Sequence, residues 1–405
     1  QGSGALAQVP ETAESSPARI LLLTDGANSA GSPPLDAAAR AAELRVPIYT
    51  VLLGNDAGRP DELSPTETLS ALANQSSGVF TQSTSTQDLR RVFEDIGVSR
   101  AAAFSVDGLH STRPVEYPVQ APKDADAMFD VLTYEKGASV LRMLEQYLGP
   151  TVFRDGVRDY LRSHAYGNAD TKDLWVSLGH AAQVPVPDLM NGWIFQPGYP
   201  LVSVEQSGRT IRVSQQIFRY LQDGSDSERK WHVPIFLRAG MKAGVVNKTL
   251  LLTEKEQQIE FDAPADWVVV NAGAHGFYRV RYSQELLAAL RQGMTTHLNP
   301  VERFGLVNDA WAATLAGIVS LTDYLELIDQ LAGETDVNVW TTMIASFHQL
   351  QRILDDVQCE QLAERLFAVL SPALARLGWS VRPGEGELES QLRGDLIAAL
   401  GTVAN

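Results

Sequence analysis

The chain has 405 residues, 44% hydrophobic and only 20% charged, enough apolar surface to build cores in about two to four domains. Its 33 Lys and Arg against 49 Asp and Glu give a formal charge of −16, which argues against non-specific nucleic-acid binding and against an anionic membrane surface. A single cysteine, Cys359, excludes a disulfide framework within the chain and any thiolate zinc cluster.

Residues 1–18 lie in "QGSGALAQVPETAESSPAR", which has no initiator Met and no basic region followed by an apolar one; they read as a linker or a cut end rather than a signal peptide. No run approaches the ~20 apolar residues of a membrane helix. Together with the lone cysteine, these features favour the cytoplasm. Residues 19–98 then alternate short β runs with helical patterns, predicting a parallel sheet covered by helices. "RILLLTD", "PIYTVLLG" and "GVFTQ" are its strands; "PLDAAARAAELR", "TETLSALANQS" and "TQDLRRVFEDIG" are its helices. Three strands make only half of a doubly wound, Rossmann-like domain.

Residues 99–200 change to longer helices, with Leu141, Leu144 and Leu148 predicted on one face of "DADAMFDVLTYEKGASVLRMLEQYLG". Over 201–283 the period switches to two, and about seven short runs separated by turns predict a β-sandwich, with Trp231, Val233, Ile235 and Leu237 on one face. From 284 to 405 the chain reads as an incomplete α-helical, solenoid-like array. Asn299, Pro300 and Glu302 mark a helix start as N-cap, first-turn proline and N3 acid. Cys359 falls in the helical pattern "LDDVQCEQLAERL", where a small buried hydrophobe is the expected role.

The runs "FDVLTYEKGASVLRML", "HAYGNADTKDLW", "LMNGWIFQPGYPLVSV", "WHVPI", "NAGAHGFYRVRYS" and "RFGLVNDA", in this order over residues 104–405, resemble the second half of a zinc aminopeptidase of the aminopeptidase N family (gluzincins). The resemblance implies that 99–200 is the helical end of a thermolysin-like catalytic domain, followed by the family's β-sandwich and HEAT-like helical domain. It implies metal-dependent removal of N-terminal residues from peptides. It also implies a role for Tyr134, the Tyr of the Tyr-x-Lys-Gly step: hydrogen-bonding the oxyanion that forms when water attacks the scissile carbonyl at the zinc. A phenol with a pKa of ~10 stays protonated at neutral pH and can donate to developing negative charge.

The family's zinc site needs His-Glu-x-x-His on a helix, with a further Glu as third ligand. The seven histidines are His110, His164, His180, His232, His275, His297 and His348, and no two lie within four residues of each other. The Gly-x-Met-Glu-Asn run that holds the substrate amine in this family is absent as well. No bound catalytic zinc is expected, and this polypeptide alone is expected to be inactive.

The segment upstream carries a second resemblance. "ARILLLTDGANSAG", "AELRVPIYTVLLG", "LANQSSGVF" and "DLRRVFEDIG" look like the C-terminal half of a von Willebrand factor A-type domain. In that family hard oxygen ligands at strand ends hold a divalent cation, usually magnesium. Asp25 matches the Asp of the Thr-Asp-Gly turn and is the one remnant of that metal-ion-dependent adhesion site; its bland role is to cap the turn after the strand, and magnesium there is not expected. The string "DGSDS" at Asp223, Ser225 and Ser227 fits the family's Asp-x-Ser-x-Ser pattern, but its Asp-Gly step between two β runs reads as a hairpin turn. The two half-motifs meet near residues 97–104, as in a chimeric or partial chain. The alternative to a truncated aminopeptidase is a non-catalytic module that binds a protein partner through the A-type half and peptides through the helical array.

Overall fold

The computed structural model describes the backbones of three strands between residues 20 and 83 with a few helical positions among them, and then residues 100–403 except 119–127, 129, 222–223, 225–227 and 383. Two compact units emerge. One comprises residues 1–96 and 120–130, the other residues 97–119 and 131–405.

In the first unit β1 (Ile20–Thr24), β2 (Ile48–Leu53) and β3 (Phe80–Ser83) form a parallel sheet in the order β1-β2-β3. Ile20 stands opposite Ile48, and Thr50 opposite Phe80. β1 and β2 are rich in Ile, Leu and Val, a composition common in parallel strands, whereas β3 is Phe-Thr-Gln-Ser. Most residues of the connecting helices predicted from the sequence lie outside the described residues.

The second unit opens with α1, described over residues 100–107. A π-helical turn (Leu132–Lys136) then runs directly into α2 (Gly137–Leu148), followed by α3 (Pro150–Ser163), α4 (Thr171–Ala182) and α5 (Val186–Ile194). The predicted Leu141, Leu144, Leu148 stripe is corrected by one position. Val140, Met143 and Leu144 are fully buried, while Leu141 and Leu148 are half-buried beside them. A stripe at i, i+3, i+7 and its neighbour at i−1, i+2, i+3 are equally apolar here, and only packing chooses between them. α3 and α4 pack closely because Gly156, inside α3, presents no side chain to Leu178.

The seven short β runs occupy β4 (Pro200–Ser207), β5 (Thr210–Ile217), β6 (Val233–Met241), β7 (Gly244–Leu252), β8 (Glu256–Glu260), β9 (Trp267–Val270) and β10 (Arg279–Tyr282). They form a four-stranded sheet, β10-β4-β5-β8, and a three-stranded one, β7-β6-β9. The inner residues of both sheets share one apolar core with α1 and α2. All pairs in these sheets are antiparallel except β10 with β4, which is parallel. The prediction that Trp231, Val233, Ile235 and Leu237 share a buried face holds, but Pro234 and Phe236 are buried too, so central strand β6 is covered on both sides.

The helices that follow are α6 (Gln284–Gln292), α7 (Met294–His297), α8 (Pro300–Leu315), α9 (Leu321–Asp329), α10 (Val337–Gln351), α11 (Asp356–Leu377) and α12 (Glu387–Val403). They share a second core around Trp340, Met343, Leu366, Leu370 and Leu396. Asn299 caps α8 as its sequence predicts: its side chain accepts from the Glu302 amide, and Glu302 accepts from the Asn299 amide.

Candidate active site

Tyr134 lies in the middle of the π-helical turn, with 48% of its surface exposed. Leu132 and Lys136, on either side of it in the same turn, are buried. Burying positions four apart sends the residue halfway between them outward. The phenol is thus carried on the open side of a turn whose other side is packed.

Lys136 holds that packed side. Its ammonium lies 2.8 Å from the Asp107 carboxylate, and neither side chain has any exposed surface. Lys136 Nζ also donates to the Gly198 carbonyl at 3.0 Å, while Asp107 Oδ1 accepts from the Gly198 amide at 2.9 Å and from Thr112 Oγ1 at 2.6 Å. Burial pulls the Lys136 ammonium below its usual range, and the neighbouring Asp107 charge opposes that pull.

A second buried network continues from the same place. The Tyr199 hydroxyl donates to the Phe104 carbonyl at 3.0 Å and accepts from Arg279 Nε at 3.1 Å. The Arg279 guanidinium rides over the Phe104 ring and reaches Asp309 at 2.9 Å, whose other oxygen takes the Val280 amide at 2.9 Å. Arg100 donates to the carbonyls of Ala274 and Gly276. Residues from α1, β10 and α8 are thereby tied together around the core that supports the turn.

Among the described residues no three His, Cys, Asp or Glu side chains are grouped to hold a metal ion. His164 sits 4.0 Å from Asp173, His110 faces the Leu221 carbonyl, His297 stacks on Trp267, and His275 packs edge-on to Phe236. Among the described residues these positions do not fit the zinc that gluzincins carry. Asp25, Asp223, Ser225 and Ser227 lie outside the described residues. Cys359 is partly buried, its Sγ 3.8 Å from the carbonyls of Gln351 and Leu354.

Residues 72–193 match the Peptidase family M1 domain, and residues 267–405 match the ERAP1-like C-terminal domain. This part of the chain belongs to the M1 peptidase family. Aminopeptidase M1 of Arabidopsis thaliana is 33% identical over 312 residues, covering 73% of this chain and 35% of that protein. The puromycin-sensitive aminopeptidase of Caenorhabditis elegans is 34% identical over 308 residues, with 72% and 32% covered. Tricorn protease-interacting factor F2 of Thermoplasma acidophilum is 33% identical over 315 residues, with 77% and 38% covered. The chain spans about a third of the length of the curated relatives it matches. Among the described residues no helix is long and apolar enough to cross a membrane. The M1 match begins at residue 72, inside the segment that the sequence assigns to an A-type half domain.

Asp107 and Gly198 were not singled out from the sequence, although they hold Lys136, two residues along the turn from Tyr134. The signal available was Lys136 itself: a charged residue four positions from Leu132 on a face that is otherwise apolar needs a buried partner.

Proposed function

We propose that this chain supplies the C-terminal part of a zinc aminopeptidase of the M1 type, with Tyr134 as the hydrogen-bond donor to the oxyanion of peptide hydrolysis. The observation that carries the reading is Tyr134 itself, exposed on a turn whose opposite side is fixed by buried Leu132 and Lys136. A donor held by the protein before the reaction stabilises charge without reorganising, an effect worth about 10²- to 10³-fold in rate at comparable sites. The family's substrates, peptides with a free N-terminus, come with the reading.

The 405 residues contain no His-Glu-x-x-His and no Gly-x-Met-Glu-Asn run. Removing metal ligands and general base together costs far more than removing one oxyanion donor, so the polypeptide on its own is inactive in this proposal. Purified chain is expected to release no fluorophore from aminoacyl-coumarin substrates and to contain no stoichiometric zinc. Turnover that a chelator abolishes, or one zinc per chain, overturns it.

A second reading, a non-catalytic module that captures a protein partner, draws support from the parallel sheet β1-β2-β3, the arrangement an A-type half requires. Magnesium-dependent capture lost in Asp25→Ala supports it; capture indifferent to magnesium and to Asp25 removes it.

A further inference from the structure

A buried ion pair is a costly way to fasten one helical turn. Two ions must leave water, and an apolar pair of similar volume fills the same space without that penalty. What the pair supplies instead is a single allowed geometry. Lys136 and Asp107 close a ring with Gly198, in which Lys136 reaches the Gly198 carbonyl and Asp107 takes the Gly198 amide. Gly198 has φ +88, and a Cβ there would meet Arg219 Nη1 at 2.7 Å, so glycine alone fits that corner. Arg219 in turn donates to the Asp107 carbonyl at 3.2 Å.

The turn fastened this way is a π turn, which inserts an extra residue into the helical register and recurs at functional positions. Relaxation to a regular α-turn would rotate each following side chain by about 100° per residue of slip. In the observed register Lys136 Nζ reaches both partners. Tyr134, two residues earlier, takes its direction from that register.

We infer that Asp107 and Lys136 are positioning residues, and that their buried pair locks the π turn so that the Tyr134 phenol is aimed outward. The inference rests on the reading of Tyr134 as an oxyanion donor, but its test reads geometry and not turnover. 3-Fluorotyrosine placed at position 134 alone in the full chain provides a ¹⁹F resonance that reports the direction and surroundings of the ring. In the double variant Lys136→Met/Asp107→Asn, where both charges are removed together, the resonance is expected to move by more than its linewidth or to split. In the comparison variant Arg303→Met/Glu334→Gln, which neutralises another buried pair in the helical array, it is expected to stay in place. An unchanged resonance in a folded double variant overturns the inference and leaves the M1 reading intact. Aminopeptidase turnover by the chain would overturn the proposed inactivity and leave this measurement standing. Should the double variant not fold, Asp107→Asn, which keeps an acceptor for the Gly198 amide, is read in the same way. Loss of folding in both variants also overturns the inference, because the pair would then hold the whole unit rather than one turn.

Discussion

Glu302 grips the Arg238 guanidinium with both carboxylate oxygens, at 2.9 and 2.7 Å, while one of them also takes the Gly273 amide at 2.6 Å. A residue that begins as the N3 member of a capping box therefore also joins α8 to β6 and to the turn before β10. Glu302→Ala removes the cap contact and leaves Arg238 facing a partly closed site. Arg238 keeps 23% of its side chain exposed, so water recovers part of the loss. The expected cost is about 2–4 kcal/mol, with Glu302→Gln costing less because it still accepts from the Asn299 amide. Urea denaturation followed by tryptophan fluorescence measures both.

Two helical glycines should respond to alanine with opposite signs. Gly137, at the start of α2, has nothing within 4 Å of a built Cβ among the described residues, so Gly137→Ala should stabilise by about 0.5–1 kcal/mol through lost freedom in the unfolded chain. At Gly156 the same atom would lie 2.8 Å from Leu178 Cδ2 and 2.9 Å from Leu178 Cα. The α3–α4 pair would have to separate, and Gly156→Ala should destabilise by about 1–3 kcal/mol. Melting temperatures of the two variants against the parent decide the signs.

Burial lowers the His275 pKa from 6.5 to about 4, helped by the charges of Arg142 and Arg100. The unfolded chain takes up this proton as pH falls through 6.5, whereas the folded chain resists until about 4. Folded stability should therefore fall across that window, by up to about 3 kcal/mol, and level off below it. His275→Gln should lessen the slope between pH 7 and 4.5 while other acid-sensitive groups act equally in both proteins. Denaturation midpoints at the two pH values provide the comparison.

Asp309 neutralises Arg279, whose side chain is 2% exposed. Asp309→Ala strands that guanidinium in the core and should cost about 3–5 kcal/mol. Adding Arg279→Met should recover part of the loss, since the stranded charge disappears. A double-mutant cycle that shows simple additivity would mean that the two side chains act independently.

What could be read from the sequence was local. Asn299, Pro300 and Glu302 announce their helix because capping chemistry sits within four residues, and β4 to β10 announce themselves by alternation. Tyr134 was legible through the runs around it. The π turn was not, because one inserted residue leaves the apolar pattern of a helix almost unchanged. Nor were the partners of Lys136: Asp107 and Gly198 are distant in sequence and meet only after α1 and the corner before β4 pack together. The same holds for Glu302, whose contacts with Arg238 and Gly273 depend on how α8 meets the sheet. Asp25 lies outside the described residues, and the segment expected to form an A-type half is described mainly by its strand backbones.

The parallel pairing of β10 with β4 also sets an order of assembly. Leu201, at the beginning of the strand run, is matched to Arg279, at its end, so this sheet cannot close until every intervening strand has been synthesised. Until then β4 presents an open edge, able to pair with a strand of another nascent chain. Non-local closure of this kind is slow compared with helix formation. The helical array, docked on β10 through Asp309, acquires its seat only afterwards. A ribosome that stalled before Arg279 would leave β4 as the bare edge of the sheet, whereas one that stalled after Tyr282 would leave all four strands in place with β10 as the edge.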